Sequence, residues 1–342
     1  MTSLNIKRIH DAAQRLRAGG VVAFPTETVY GLGADACNED AVRHVYALKG
    51  RPAGHPLIVH VTDMEAAGQW ATAIPTAARV LMSRFWPGPL TVVLPARDEV
   101  SRVVTGGQDS VALRAPRHPV AQALLKSFGN GLAAPSANPF GRLSPTEAGH
   151  VRSYFPQVTV LDGGACRFGL ESTIVSLLES PPRVLRPGAL PIAALREALG
   201  GMAIEAGETG SPSPRVPGAL PAHYAPATPL EIVPVELLGQ CAESLMAQGL
   251  RVAVLRRLRR RRVSGPNAAL PAVPLFFLPT NPKAYGRGLY ARLREIDRFG
   301  FDWLLVEELP PEEDWWAVND RLVRAANPDI SPNRARKESL GE

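Results

Sequence analysis

Strand-sized apolar runs alternate with helical patterns through the first 200 residues of the chain. This alternation is typical of an α/β domain, in which helices cover a sheet. Because the runs are unevenly spaced, some strands should pair antiparallel, and we expect a twisted mixed sheet flanked by helices. The predicted strands are Val21–Phe24, Leu57–Val61, Leu90–Pro95, Val111–Arg114, Gly131–Ala133, Val158–Leu161, Thr173–Leu178 and Arg183–Arg186.

The composition changes after residue 200. Residues 201–229 are rich in Gly, Pro, Ser and Ala and have no apolar periodicity, which predicts a linker. Four strand-like runs beyond it alternate with helices and predict a smaller, Rossmann-like parallel α/β domain. We therefore expect a first domain over 1–200, a linker over 201–229, a second domain over 230–330 and a polar tail over 331–342.

Charge and composition narrow the class of protein. The net charge of +6 is compatible with an anionic ligand or with nucleic acid, and by itself decides neither. The apolar runs are far shorter than the roughly 20 residues of a membrane helix, and the first residues do not resemble a signal peptide. We expect a cytoplasmic protein that does not enter a membrane. Its three cysteines, Cys37, Cys166 and Cys241, fit neither a disulfide framework nor a metal cluster.

The segment FPTETVYGLG, residues 24–33, places a polar, glycine-bearing loop directly after a predicted strand. Ligands of open α/β sheets bind at such strand ends. A tight turn with solvated hydroxyl groups is an equally good interpretation. The loop would hold Thr26, Glu27, Thr28 and Tyr30 and be closed by Gly31 and Gly33.

The segment KGRPAGHPLIVHV, residues 49–61, brings two cations together at the end of a predicted helix. In extended backbone Lys49 and Arg51 share a face and could clamp a phosphate, although cations at a helix C-terminus commonly do no more than complement its dipole. His55 and His60 flank the following strand. His60 could equally be a half-buried, hydrogen-bonded histidine.

Later strand ends carry more polar and cationic groups. Arg114 could bind a carboxylate in a bidentate manner or form a surface ion pair. A proline-rich loop and two further strand ends supply Ser136, Asn138, Ser144, Ser172, Thr173 and Arg186. Together these positions predict one composite pocket of anion-binding groups. A Walker loop, a metal-binding cluster and a nucleophile elbow are absent from the sequence.

Taken in order, these motifs resemble those of the L-threonylcarbamoyladenylate synthases of the long, two-domain form. The resemblance runs through FPTETVYGLG, KGRP with HPLIVH, RAPRHP, PSAN with GRLSPT, DGG with GLESTIV, and RPG, and continues in YGRGLYARLREIDRFGFDWLLVEELP and NDRLVRAA. It implies a YrdC-like first domain and an enzyme that makes threonylcarbamoyl-adenylate from L-threonine, bicarbonate and ATP with release of pyrophosphate. It also implies Mg²⁺ carried by the ATP phosphates rather than by protein side chains. The product would pass to a tRNA threonylcarbamoyl transferase complex that modifies an adenosine next to the anticodon.

The same resemblance implies roles for individual residues. The catalytic tetrad would be Lys49, Arg51, Ser136 and Asn138. The residues around L-threonine would be Thr28, His60, Arg114, Ala134, Ser172 and Thr173. The residues contacting ATP would be Arg51, His55, Ser110, Ser136, Ser144, Arg186 and Tyr224, the last as a lid residue. The linker segment PGALPAHYAP departs from the family pattern, which usually has basic and aromatic residues at the positions of Ala219, Leu220, Pro221 and Ala222.

Two other functions compete with this interpretation. The run RRLRRRR, residues 256–262, would suit an RNA-binding assembly factor and leaves weak binding of tRNA or another RNA open, although such runs are more often solvated loops. Carbamoyl-transferring maturation factors also contain YrdC-type domains. They additionally carry cysteine-rich zinc modules, which three scattered cysteines exclude.

Overall fold

The chain divides into two compact units in the computed structural model, which describes residues 3–206, 214–218, 220, 223–258 and 271–326. Unit 1 comprises Met1–Phe140 and Ser144–Ala219, and unit 2 comprises Gly141–Leu143 and Leu220–Glu342. Within the described ranges, no helix has both the length and the apolar character needed to cross a lipid bilayer. The predicted polar tail over 331–342 lies outside the described residues.

In the described part of unit 1, ten strands form one sheet in the order β10-β9-β8-β4-β5-β3-β6-β2-β1-β7. β3 runs parallel to β5, whereas β4 runs antiparallel to it, so the predicted mixed sheet is confirmed. The strands are β1 Val22–Phe24, β2 Gly31–Asp35, β3 Ile58–His60, β4 Leu90–Pro95, β5 Ser110–Arg114, β6 Leu132–Ala133, β7 Thr159–Val160, β8 Thr173–Ser176, β9 Arg183–Arg186 and β10 Glu205–Ala206.

Helices cover both faces of this sheet. Successive strand residues point to opposite sides, so each strand packs against helices on both faces. Val22 and Phe24 pack against α1 and α6, whereas Ala23 between them packs against α2 and α7. The helices are α1 Ser3–Arg17, α2 Glu39–Lys49, α3 Met64–Ala67, α4 Thr76–Phe85, α5 Arg102–Thr105, α6 Pro119–Phe128, α7 Ala148–Tyr154 and α8 Ile192–Ala198.

β2 lies where the sequence predicts a loop. It pairs antiparallel with β1, with Gly31 opposite Phe24 and Gly33 opposite Val22. A Cβ on Gly33 would lie 2.6 Å from the Phe24 ring, so glycine is needed there for a close side-chain approach. The two glycines therefore belong to a strand that packs under an aromatic ring, and the loop prediction was wrong for this part of the motif.

Part of the predicted linker contributes to unit 1. β10 pairs parallel with β9, and Val216 packs in a buried cluster with Ile58, Val93, Ala112 and Ile174. Residues 207–213, 219 and 221–222 lie outside the described residues, and so do three of the four positions at which the linker departs from the family pattern.

The described strands of unit 2 form a parallel sheet in the order β11-β14-β12-β13, as predicted. Val233, Val252, Val254 and Leu305 pack from its strands against Leu238 and Ala242 of α9. The strands are β11 Leu230–Val233, β12 Val252–Arg257, β13 Leu275–Leu278 and β14 Trp303–Glu307, and the helices are α9 Leu238–Ala247, α10 Pro282–Asp297 and α11 Trp316–Ala326, the last preceded by a 3-10 turn at Glu313–Trp315.

Candidate active site

One face of the unit 1 sheet collects several of the predicted site residues. β3 and β5 run parallel, and His60 is the direct partner of Arg114. Because alternate strand residues share a face, Ile58 and Ala112 lie on this face too, where they pack together. We call the face that carries His60 and Arg114 the site face.

Three more predicted residues follow the same alternation. Ser110 precedes Ala112 by two positions and is buried. The amide of Ala134 donates to the carbonyl of Ile58 over 3.0 Å, and Ser136, two residues further on, forms an isolated bridge with Gly31. Ser110, Ala134 and Ser136 therefore extend the site face on either side of β3.

The predicted tetrad meets at the end of α2. The side chain of Asn38 caps the start of this helix, and Gly50 ends it with a left-handed φ of 62°, which makes Lys49 its last residue. Lys49 Nζ donates to the carbonyl of Ser136 over 2.6 Å and also to the carbonyl of Asn138. A residue at a helix end thus holds a loop 87 residues further along the chain.

Arg51 joins this group through an aromatic ring. Its guanidinium lies over Phe140, 5.7 Å from the ring centroid, and its Nη2 donates to the carbonyl of Pro56 over 3.0 Å. The His55 ring also lies 5.7 Å from the Phe140 ring, and the Phe140 amide donates to the carbonyl of Lys49 over 2.7 Å. The structure therefore brings all four tetrad residues and His55 around one loop.

Lys49 is a buried lysine, with 3% of its surface exposed. Burial, and secondarily the nearby charge of Arg51, hold the pKa of Lys49 well below its ordinary value of 10.5. An anion bound beside it would favour the charged form and relieve this cost. The electrostatics of the tetrad therefore suit a negatively charged ligand.

Arg114 forms a buried ion pair rather than a surface one. Its Nη2 lies 2.6 Å from Oε1 of Glu27, and both side chains are 5% exposed or less. The other carboxylate oxygen of Glu27 accepts a 2.8 Å hydrogen bond from the backbone amide of Arg117. Glu27 thereby ties the loop after β1 to the end of β5.

Thr28 is fully buried in that same loop. The Oγ1 atoms of Thr26 and Thr28 lie 2.8 Å apart, and Thr26 Oγ1 accepts from the amides of Thr28 and Val29 over 3.1 and 3.2 Å. These bonds close the loop on itself and give Thr28 a defined position.

His60 is buried beneath the edge of Phe24, with ring centroids 5.9 Å apart. Its Nδ1 makes no hydrogen bond of regular geometry with the described residues, although the backbone carbonyls of Ile58 and Leu132 lie near the ring. Burial, with a smaller contribution from the charge of Arg114, lowers the pKa of His60 from 6.5 to about 3. The imidazole is therefore neutral at physiological pH and could donate or accept a hydrogen bond.

This pKa predicts that His60 destabilises the fold in acid. Between pH 6.5 and pH 3 the unfolded chain binds a proton that the folded chain does not, so stability falls as the pH falls through 6.5. By pH 5 the loss should reach about 2 kcal/mol. Urea unfolding of unit 1 at pH 7 and pH 5 should show a smaller loss in His60→Gln than in the wild type. Equal losses in the two proteins would contradict the prediction.

Arg186 and Ser172 form a second buried group of predicted residues. Nη2 of Arg186 donates to the carbonyl of Ser172 over 2.8 Å and to its Oγ over 3.1 Å, and Nη1 donates to the carbonyl of Pro217 over 2.8 Å. Ser172 Oγ also lies 2.7 Å from Oγ1 of Thr91, which is on β4. Two predicted residues and a linker carbonyl therefore share one hydrogen-bond network.

Two predicted hydroxyl groups bond to other parts of unit 1. Thr173 Oγ1 donates to the carbonyl of Leu190 over 2.7 Å, and Ser144 Oγ donates to Oε1 of Glu171 over 2.6 Å. Both residues are buried. In this structure these hydroxyls hold the start of β8 and the loop that carries Ser144 in place.

Tyr224 lies in unit 2, where it is 1% exposed. Its ring stacks on Tyr290 with centroids 5.9 Å apart, and the guanidinium of Arg321 lies 4.9 Å from the Tyr224 centroid. Its φ of 62° is the one left-handed value among the non-glycine residues that the structure describes. For the Tyr224 ring to contact ATP, its contacts with Tyr290 and Arg321 would have to change.

Sequence reasoning did not assign a role to Glu27, Thr91 or Glu171, each of which contacts a predicted site residue. Glu27 lies inside the motif FPTETVYGLG, directly before Thr28. Thr91 is the one polar residue of the apolar run Leu90–Leu94, and that contrast marks it in the sequence. Nothing local marks Glu171, whose partner is 27 positions away.

Across the residues described, no group of three or more His, Cys, Asp or Glu side chains is arranged as a metal site. Glu27 and Glu171 each accept a hydrogen bond from a neighbouring side chain.

Two family models match successive parts of the chain. A family described as "Telomere recombination" (Sua5_yciO_yrdC) matches residues 14–188, and the threonylcarbamoyl-AMP synthase C-terminal domain matches residues 190–327. The threonylcarbamoyl-AMP synthase of Pyrococcus abyssi is 39% identical, with 93% of this chain and 94% of that protein covered. The chain belongs to the threonylcarbamoyl-AMP synthase family. The synthase of Bacillus subtilis is 38% identical over 95% of this chain and 94% of its own length.

A solved member of this family has the same fold. The structure of Sua5 from Pyrococcus abyssi complexed with L-threonine matches with a TM-score of 0.83 and 38% identity, over 94% of each chain. Membership in the threonylcarbamoyl-AMP synthase family favours the enzyme interpretation over the RNA-binding assembly factor.

Proposed function

We propose that this chain synthesises threonylcarbamoyl-AMP from L-threonine, bicarbonate and ATP, with release of pyrophosphate. Relatives that carry this name cover both units. The observation that carries the proposal is the charge of the site. Among its described residues four buried basic side chains stand against two buried carboxylates, and their exposures are Lys49 3%, Arg51 7%, Arg114 4%, Arg186 3%, Glu27 4% and Glu171 5%.

The reaction joins anions, so neutralising charge is its main difficulty. The lone pair of the unprotonated threonine amine attacks CO₂ derived from bicarbonate, forming a carbamate and releasing a proton. A carbamate oxygen then attacks the α-phosphorus of ATP, and the bond to the leaving pyrophosphate breaks. Such transfers are catalysed mainly by positioning and electrostatics. No protein nucleophile is needed.

Lys49 and Arg51 would stabilise the triphosphate in this scheme. Ser136 and Asn138 would orient the nucleotide and the carbamate, because Lys49 holds the loop on which they lie. Other proposed contacts to ATP are His55, Ser110, Ser144, Arg186 and Tyr224. Mg²⁺ would enter bound to the ATP phosphates and lower their charge further.

L-threonine would lie over the site face beside His60 and Arg114. Arg114 would bind its carboxylate, and Thr28 and Ser172 would contribute hydroxyl groups. Ala134 and Thr173 complete the proposed pocket. The product would pass in the cytoplasm to a tRNA threonylcarbamoyl transferase complex.

The arginine run gives limited support to RNA binding. Nη2 of Arg257 lies 2.9 Å from Oε1 of the buried Glu307, and Nε of Arg256 lies 3.6 Å from its Oε2. These two arginines therefore form ion pairs with Glu307 inside unit 2. Residues 259–262 of the run lie outside the described residues.

The proposal is tested by measuring pyrophosphate release with ATP, Mg²⁺ and bicarbonate, with and without L-threonine. Release that depends on L-threonine is expected. Salt-sensitive binding of RNA without threonine-dependent consumption of ATP would instead support the RNA-binding function.

The same assay predicts the order of competing amino acids. A pocket that hydrogen-bonds the threonine hydroxyl should reject analogues that lack it more strongly than serine, which lacks only a methyl group worth roughly 1 kcal/mol or slightly more. Serine should therefore be the best substitute for threonine. Faster turnover of valine or another aliphatic amino acid would contradict this pocket.

A further inference from the structure

Glu27 is a buried carboxylate that contacts Arg114, a residue of the proposed threonine pocket. It pairs with Arg114 through one oxygen and accepts from the Arg117 amide through the other. Its own backbone carbonyl accepts a 2.9 Å hydrogen bond from the amide of Phe168. Its neighbour Thr28 is held by the turn described above. Glu27 is therefore fixed at both ends, by backbone and by side chain.

The ion pair leaves one side of the Arg114 guanidinium available. Nη2 donates to Glu27, and Nε donates to the carbonyl of Gly88 over 3.3 Å. Neither of these two bonds to described residues uses Nη1 of Arg114. Nδ1 of His60 lies on the adjacent strand, at the position directly opposite Arg114. A guanidinium held at two of its three nitrogens can present the third to a ligand in one orientation.

We propose that Glu27 is a positioning residue for L-threonine, which fixes the plane of Arg114 so that its free edge meets the carboxylate of the substrate. This inference rests on the proposed function. A buried arginine without its carboxylate partner would turn toward another acceptor, because an uncompensated buried charge is unstable. Glu27 also offsets the charge of Arg114, so that the pocket accepts a zwitterionic amino acid rather than a simple anion.

The position of Glu27 predicts an effect on one substrate only. It forms hydrogen bonds with Arg114, Arg117 and Phe168, whereas the residues proposed for the triphosphate are Lys49 and Arg51. Loss of the Glu27 carboxylate should therefore weaken the use of L-threonine and leave the use of ATP nearly unchanged. A residue that merely supported the fold would affect both substrates alike.

The test is the ratio of the two KM values in Glu27→Gln, measured by pyrophosphate release. The KM for L-threonine should rise at least about tenfold, because removing one member of a buried charge pair has effects of that size or larger. The KM for ATP should stay within about threefold of the wild-type value. Glu27→Asp keeps the charge on a shorter side chain, so its KM for L-threonine should lie between those of the wild type and Glu27→Gln. It also provides the second variant if Glu27→Gln folds poorly.

Glu307→Gln is the matched control, since Glu307 is also buried and also pairs with an arginine, but in unit 2. It should lower the thermal midpoint and leave both KM values unchanged. The inference is overturned if folded Glu27→Gln and Glu27→Asp retain the wild-type KM for L-threonine, or if both KM values rise together.

Failure of the proposed function would be seen separately, in the wild type. If the wild type releases no pyrophosphate with L-threonine, calorimetric titration with L-threonine compares the wild type and Glu27→Gln directly. Tighter binding by the wild type supports the role of Glu27. Equal binding, or none to either protein, overturns it.

Discussion

Lys49→Ala should reduce threonine-dependent pyrophosphate release by about a hundredfold or more, which is the usual cost of losing one well-placed donor in such a site. The substitution removes a cation from the proposed phosphate site. It also leaves the carbonyls of Ser136 and Asn138 without their common donor, so the loop that carries two tetrad residues loses its tether. Arg51→Ala should have a comparable effect, because Arg51 contacts the same loop through Phe140.

The loss in Lys49→Ala should occur without unfolding, because burial already disfavours the charge of Lys49. Thermal melts should show a folded protein. Lys126→Ala is the control, since Lys126 is an exposed lysine on α6, and it should keep full activity. Activity of Lys49→Ala or Arg51→Ala within a few-fold of the wild type would refute the assignment of the tetrad.

Gly188→Ala should lower the free energy of unfolding of unit 1 by about 2–3 kcal/mol, the usual cost of overpacking a rigid site. A Cβ at Gly188 would lie 2.4 Å from the carbonyl carbon of Ser172 and 2.5 Å from both the Glu171 oxygen and the Thr173 nitrogen. All three are backbone atoms and cannot rotate away. The backbone at Ser172, directly before β8, would have to move. Because Ser172 is a proposed threonine contact, the KM for L-threonine should rise as well.

Gly149→Ala provides the matched control for this substitution. Gly149 lies in α7, and a Cβ there would meet nothing within 4 Å. Since alanine is the better helix former, this variant should be as stable as the wild type or about 0.5–1 kcal/mol more stable. Urea unfolding of both variants decides the matter. Equal stability of Gly188→Ala and Gly149→Ala would show that the chain around residue 188 relaxes easily.

Much of the fold could be predicted because its signals are local. β9 was predicted at its observed bounds, and β4 likewise, because each is a short apolar or branched run between turns. The start of α2 at Asn38 was predictable from its capping side chain. β2 was missed because glycines disfavour strands in isolation. Its stability depends on the Phe24 ring that covers Gly33, and that contact exists only when β1 and β2 pair.

The candidate site was predictable as a set of residues and not as a set of contacts. The resemblance implied the tetrad, and the structure brings its members together, while their catalytic role stays a prediction. Glu171 could not be found in this way, because its contact with Ser144 depends on two loops meeting in the folded protein. The assignment of Thr173 to a substrate also could not anticipate its hydrogen bond to Leu190.

By itself the amino-acid sequence determined where most of the strands lie, where α2 begins and ends, and which motifs resemble those of the family. These properties depend on neighbours within a few positions. Only the tertiary structure decided that Arg114 pairs with Glu27 and that Lys49 holds the loop at Ser136, each across 87 positions of the chain. Contacts at that separation depend on how the strands are ordered in the sheet, and no local preference encodes them.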